Sequence, residues 1–182
     1  MANLTTLSNV KAWLGVSSPT DDDLLTRLIT AYSEYIQTWM NRTITHSDYS
    51  DVLDGHGGAT IMLPNYPVVA VASVVIDGQP VPVASSSTGA GYRFNSTMVV
   101  LNGYRFARGV QNVEISYSAG YAATPPELEQ ACIELVSMRY KERDRIGQAS
   151  KSIGGEVVSF IVKDFPESVR TVLNNYRKVV PV

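Results

Sequence analysis

Apolar residues in the first forty or so positions recur at helical spacing. Val10, Trp13 and Leu14 predict a short helix over about 7–14, with Gly15 as its C′ residue. Leu24, Leu25, Leu28, Ile29, Tyr32, Ile36, Trp39 and Met40 then follow an i, i+1, i+4, i+5, i+8 pattern, the strongest helical signal in the chain. Thr20 is placed to cap that second helix. The acidic run Asp21–Asp23 favours the positive end of its dipole, and Asn41 ends it.

The period then changes. Residues 48–118 predict strands and turns, with the β-branched run Val68–Ile76 followed by Asp77-Gly78, a hairpin signal. Gln79–Val83 is the expected return strand, and its two prolines confine it to an edge. Tyr92–Phe94, Met98–Leu101 and Val113–Tyr117 are further short strands, separated by the polar loop Ser85–Gly91 and the turn Asn102-Gly103. Thr124, Pro125 and Pro126 return the chain to helix, with Thr124 as cap and Pro125 at the first helical position. Leu128, Ala131, Cys132, Leu135 and Met138 form the apolar stripe of this helix. A glycine-bearing polar stretch over 147–155, an extended run Val157–Val162 and a last helix opened by Pro166-Glu167 complete the chain.

The expected fold class is α+β. A small helical bundle core is formed by the N-terminal helices and the long C-terminal helix. It carries an inserted antiparallel β-sheet lobe and a C-terminal strand–helix arm. In boundaries, 1–182 is one domain, with 1–45 and 122–182 as helical core and arm and 46–121 as the β-rich lobe. Short strands with regular turn chemistry point to a small sandwich or rolled sheet for the lobe.

Composition narrows the function. The chain has 182 residues, 45% of them hydrophobic and 18% charged, with a net charge of −2. It can therefore bury a core without disulfides or metals. It lacks the basic excess of a free nucleic-acid-binding protein. Cys132 is the single cysteine, which fits a reducing compartment. The first residues carry neither a basic nor an apolar leader region, so no signal peptide is expected. No apolar run approaches the roughly 20 residues needed to span a bilayer, and no membrane role is expected.

Catalytic and cofactor chemistry find little support. Asp48, Asp51, Asp54 and His56, with His46 nearby, match no metal-site spacing, and Asp54–Gly58 is better explained as a tight polar turn. Cys132 lies on the apolar face of its helix, where a buried, inert thiol is the ordinary outcome. Ser118 lacks the preceding glycine of a nucleophile elbow. Neither Gly55–Gly58 nor Ser152–Gly155 is followed by the Lys-Ser/Thr and helix of a phosphate loop. No catalytic residue, metal or cofactor is assigned.

The order of these segments resembles the head–tail connector (adaptor, or head completion) proteins of tailed bacteriophages. The resemblance is carried by Val10–Leu14 and Asp21–Leu25, and by the inserted sheet from Leu53-Asp54-Gly55 through Pro67-Val68 to Ile76-Asp77-Gly78 and Tyr117–Tyr121. It continues through Pro125–Leu128, Gly154–Glu156, Pro166 and Tyr176-Arg177. It spans nearly the whole chain through soft hydrophobic and glycine patterns. It implies a structural subunit made in the host cytoplasm and installed in the virion neck. There it would form a homo-oligomeric, dodecameric ring below the portal protein, continue the channel for double-stranded DNA and offer a docking surface to a stopper or tail-completion protein.

Three segments are candidates for those contacts. Arg139, Lys141, Arg143, Arg145 and Lys151 form a basic cluster. It is either a solvated helix end complementing the dipole or a channel-lining or partner-facing surface whose DNA contacts would be weak and non-specific. Val157, Val158, Phe160 and Val162 form either an assembly arm that adds as a strand to a neighbour or an intrachain hairpin. Tyr176, Arg177 and Lys178 are a frayed terminus or a portal-docking tail. The competing functional class is a β-rich carbohydrate- or receptor-binding module of a virion, with Tyr92, Tyr104 and Tyr117 as stacking aromatics.

Overall fold

The structure, a computed structural model, describes residues 2–143, 150–153, 156–159 and 165–178. The fold is α+β, and its contacts divide the chain into two compact units, Met1–Arg42 with Thr124–Val182, and Thr43–Ala123.

The first unit is helical. It contains α1 (Leu7–Leu14), α2 (Asp22–Met40), α3 (Pro126–Glu142) and α4 (Glu167–Tyr176). Thr6 caps α1 by accepting the Asn9 N–H at 3.3 Å, and Gly15 ends it in the left-handed region at φ 68°. Asn41 ends α2 in the same conformation. The α2 start differs from expectation, because no side chain caps it. Thr20 meets the Ser18 hydroxyl instead, and Asp22 pairs with Lys11 at 2.6 Å. The long helix begins one residue later than expected, with Pro125 at the cap position and Pro126 inside.

Helix α3 packs against α1, α2 and α4. This explains why one stripe does not exhaust its buried residues. Ile133, Val136 and Tyr140 are buried together with Leu128, Ala131, Cys132 and Leu135, while Met138 is only half-buried. A helix apolar on most sides is a central one. Polar groups stitch the N-terminal segment to α2 and α3. The Leu4 N–H donates to Ser33 Oγ at 2.9 Å, and Thr5 Oγ1 and Asn9 Nδ2 both donate to Glu129 Oε1, at 3.1 and 2.6 Å. Trp13, expected on the apolar side of α1, is 55% exposed.

The second unit carries β1 (Ser47–Gly55), β2 (Thr60–Met62), β3 (Val68–Ile76), β4 (Gln79–Val81), β5 (Gly91–Phe94), β6 (Met98–Asn102) and β7 (Gly109–Ala119). They form an antiparallel sheet of order β1-β7-β3-β4 and a second of order β2-β6-β5. Inward residues of both sheets share one core, including Ile61, Val74, Tyr92, Val99, Leu101, Val113, Ile115 and Tyr117, with Phe106 buried from a loop. The expected edge strand is β4, which follows Asp77 (φ 51°) and Gly78 (φ 74°).

A nine-residue strand, β1, takes in the first two residues of the turn expected at Asp54–Gly58. Its three aspartates are poor strand formers, which hid it. Its alternate residues Tyr49 and Leu53 nonetheless pack on the core, and Tyr49 stacks on Tyr117 at 5.5 Å between ring centroids.

Between α3 and α4, β8 (Ser150–Ile153) and β9 (Glu156–Ser159) pair antiparallel as a separate two-stranded sheet. The extended run at Val157–Val162 is thus one half of a hairpin as far as Ser159. Phe160 and Val162 lie outside the described residues.

Candidate functional site: the C-terminal end of the central helix

The last turns of α3 bring Arg139, Lys141 and Arg143 to the negative end of that helix, where cations complement the dipole. Two of the three are also fixed by neighbours. Arg139 donates from Nε to the Tyr32 hydroxyl at 2.8 Å and lies 4.0 Å from Glu142. The Arg143 guanidinium sits 4.1 Å from the centroid of the Tyr140 ring and donates to the Tyr140 carbonyl at 2.9 Å. The Tyr140 hydroxyl in turn donates to the Asp21 carboxylate, whose acceptance of that hydrogen bond raises the Tyr140 pKa. Lys141 is exposed. Arg145 lies outside the described residues, and Lys151 falls in β8, on a different element from the other cations.

Beside Arg139, α2 presents aromatics at helical spacing. Tyr32 meets Tyr35 edge-on at 6.3 Å, Tyr35 stacks on Phe165 at 5.2 Å and 7°, and Trp39 meets Phe165 edge-on at 5.8 Å. Ala31, Tyr32, Tyr35 and Arg139 line an open hollow of about 310 Å³. The sequence placed Tyr32 and Trp39 in the periodic helical pattern of α2 and passed over Tyr35 and Phe165. The signal that could have found them is Tyr35 at i+3 from Tyr32 and Phe165 immediately before Pro166, where a helix is about to start.

The tail residues are held rather than frayed. The Tyr176 hydroxyl donates to Glu127 Oε1 at 2.6 Å, and Arg42 Nη1 donates to the Tyr176 carbonyl at 3.3 Å. The Arg177 guanidinium lies 5.1 Å from the Trp39 ring centroid, and the Lys178 N–H donates to the Met40 carbonyl at 2.9 Å. Tyr176, Arg177 and Lys178 therefore extend the aromatic–cationic surface of α2 and α3 within the helical unit.

The residues weighed for chemistry have structural occupations. Among the described residues no group of three or more His, Cys, Asp or Glu gathers as metal ligands would. Asp51 accepts the Tyr117 hydroxyl at 2.6 Å, and Asp54 accepts the Gln111 N–H at 2.6 Å, where Gln111 has φ 53°. Cys132 is buried, with its thiol 3.7 Å from Ser33 Oγ, and burial pushes its pKa up to about 11. Such a thiol is a poor nucleophile. Of the three tyrosines considered for sugar stacking, Tyr92 and Tyr117 are 4% and 2% exposed, and only Tyr104, at 41%, faces solvent.

Among the described residues no helix is long and apolar enough to cross a membrane. No curated protein sequence matches the chain. Solved structures share its fold. The chain is similar to a protein in the neck of an empty GTA particle computed with C6 symmetry, at a TM-score of 0.60 and 18% identity over 97% of this chain and 90% of that one. It is also similar to chains in the virion of a native gene transfer agent (GTA) particle and in the neck of a native GTA particle computed with C12 symmetry. Each of these gives a TM-score of 0.58 at 17% identity, with 97% of this chain and 90% of that one covered. Residues 3–179 match the head completion proteins. That match runs from the segment tied down by Leu4 and Thr5, through the β lobe, to the docked tail, and the chain belongs to the head completion protein family, which is a family of structural proteins and not a class of enzymes.

Proposed function

We propose that this chain is a head–tail connector subunit that forms a dodecameric ring below the portal vertex of a tailed phage or phage-like particle. The ring extends the DNA channel and offers its lower surface to a stopper or tail-completion protein. The observation that carries the reading is the family match over residues 3–179. The shared fold with neck components supports it, and their C12 and C6 treatments are both compatible with twelve copies, since sixfold symmetry is contained in twelvefold.

Within that reading, Arg139, Lys141, Arg143, Arg145 and Lys151 face the channel or an acidic partner surface. Arg139 and Arg143 are already tied to tyrosines, so they present guanidiniums of fixed position. DNA contacts made this way are few and salt-sensitive, which lets the duplex slide. Tyr176, Arg177 and Lys178, fixed against α2 and α3, form with Trp39 a pre-ordered patch for the portal. The segment holding Val157, Val158, Phe160 and Val162 clasps a neighbouring subunit. Synthesis takes place in the host cytoplasm and function in the virion neck.

Mass measurement tests the reading. The protein mixed with its portal is expected to give a closed ring of twelve copies bound to the portal, and a chain that stays monomeric with portal present would refute it. The competing carbohydrate-binding reading is disfavoured by the burial of Tyr92 and Tyr117, which leaves no array of stacking aromatics among the three.

A further inference from the structure

The strand edges of the β lobe are unequal. Three of the four terminal strands are short. β4 has three residues including Pro80, β2 has three, and β5 has four and is bridged to Val83 on its outer side. Short strands and prolines are the usual means of keeping an edge from recruiting other chains. The fourth, β1, runs for nine residues without proline and is the outermost strand of its sheet, with β7 on one side and no ladder partner on the other among the described residues. Its safeguards are charge, in Asp48, Asp51 and Asp54 with no cation in the strand, and a register irregularity between Leu53 and Gly55 at one end. Those aspartates oppose pairing of one β1 with another, because like charges across a ladder repel.

The same chain holds a hairpin with the opposite need. Among the described residues β8 and β9 form a sheet of two strands, and an isolated two-stranded hairpin is marginally stable in water at best. Strand β8, Ser150-Lys151-Ser152-Ile153, contains a cation and no acid. It has an edge to offer, and its charge is opposite to that of β1.

We propose that β8 of one copy adds to the free edge of β1 in the next, giving a continuous sheet of order β9-β8-β1-β7-β3-β4 across the subunit boundary. The inference rests on the assembly-arm reading above and names the surface that receives the arm. Strand addition takes its affinity from backbone hydrogen bonds along the edge. The aspartates of β1 disfavour the symmetric β1–β1 pairing and favour the Lys151 strand. The contact therefore joins two different surfaces, and repetition of such a contact does not stop at dimers and closes a ring where its rotation allows.

Cross-linking in mixed assemblies tests this. Affinity-tagged chains carrying Ser50→Cys, an exposed position on β1, are assembled on portal with untagged chains carrying Ser150→Cys or Ser152→Cys. Paired strands hold opposed Cα atoms about 5 Å apart, within disulfide reach. Native Cys132 is buried and does not compete. Arg93→Cys in the second sheet is the collision control, and the double variant Ser150→Cys/Ser159→Cys, a register pair, reports that the hairpin itself forms. The expected result is a tagged–untagged disulfide from Ser50→Cys to one of the β8 cysteines, well above the Arg93→Cys background. Lys151→Glu is expected to weaken assembly by roughly fivefold per contact, as reversal of a cross-strand charge pair does. Assemblies of wild-type mass without that cross-link, or with it confined to one chain in a Ser50→Cys/Ser152→Cys double variant, would overturn the inference while leaving the ring intact. Wild-type assembly by Lys151→Glu would also count against β8 as the added strand. Failure of the unmodified chain to oligomerise even on portal would remove the ring reading itself, and this inference with it.

Discussion

Phe165 offers a direct test of how the last helix is held. It is 5% exposed, stacked on Tyr35 and edge-on to Trp39, at the position from which α4 departs. A side chain of this kind buries about 150–250 Å², which at about 25 cal/mol per Å² is an upper bound of about 4–6 kcal/mol. Phe165→Ala is therefore expected to destabilise the helical unit by about 3–5 kcal/mol, the usual range for such truncations. With a urea m-value of about 2 kcal/mol/M, the midpoint should fall by about 2 M. Phe165→Leu retains most of the apolar area and loses the ring geometry. It should cost only the two aromatic pairs, each worth about 0.5–1.5 kcal/mol.

Trp39 meets Phe165 edge-on and reports the transition by fluorescence once the exposed Trp13 is replaced by Phe. That signal follows the helical unit alone, which matters in a chain of two compact units. A double-mutant cycle with Tyr35→Ala isolates the stacking, with an expected coupling of about 0.5–1.5 kcal/mol. A Phe165→Ala midpoint within about 0.3 M of wild type, or a coupling of zero, would mean that Phe165 does not anchor α4. The tail surface would then owe its order to Glu127, Trp39, Met40 and Arg42 alone among the contacts described.

The β lobe and the buried groups yield further expectations. Tyr117 has its pKa raised above the ordinary 10.0, chiefly by burial and then by its hydrogen bond to Asp51. Its folded state favours the neutral phenol, so its contribution is complete below pH 10 and is lost as pH climbs towards the raised value. The urea midpoint of wild type should thus fall more steeply than that of Tyr117→Phe as pH rises above about 10, and parallel profiles there would contradict this. At neutral pH Tyr117→Phe should cost about 1–3 kcal/mol, because Asp51 and Asn65 lose their shared partner. A Cβ on Gly55 would fall on the Ala107 carbonyl oxygen, whereas one on Gly15 meets open space and only the left-handed φ opposes it. Thermal melts should therefore show Gly15→Ala losing about 1–2 kcal/mol and Gly55→Ala losing clearly more; equal losses would refute the close approach. Cys132 should react with a thiol reagent at pH 8 only as fast as the helical unit opens, and rapid full labelling of the native protein would show that the thiol is not buried.

The helices were legible because their signals are local. Gly15 and Asn41 end α1 and α2 in left-handed conformations that few other residues adopt cheaply, and Pro166 sets where α4 starts. The hairpin at Asp77-Gly78 is readable for the same reason. β1 was missed because its order is imposed from outside. Asp48, Ser50, Asp51 and Asp54 have no strand preference of their own. The strand exists because β7 supplies a full-length ladder and because Asp51 finds the Tyr117 hydroxyl across it. The burial of α3 on most sides is likewise a property of three neighbouring helices, and no single period of 3.6 encodes it.

The candidate surface follows the same division. Clustered cations near the end of a helix can be read from one segment, so Arg139, Lys141 and Arg143 were identifiable. Their fixation could not be, because it depends on Tyr32, which lies 107 positions away in sequence from Arg139, and on Asp21, which holds the Tyr140 hydroxyl under Arg143. The tail shows the consequence most clearly. A terminal Tyr-Arg-Lys looks mobile in sequence, yet Glu127, Trp39, Met40 and Arg42 each take one contact from it. A docking surface ordered in advance gives up less conformational entropy when a partner binds. On the proposed portal-docking role, loosening it should weaken portal binding while Tyr176, Arg177 and Lys178 themselves are unchanged. Glu127→Gln can still accept the Tyr176 hydrogen bond and should bind portal nearly as wild type, whereas Glu127→Ala leaves that hydroxyl without its acceptor and should bind several-fold more weakly. Equal binding by the two variants would show that the intramolecular tether contributes nothing to docking.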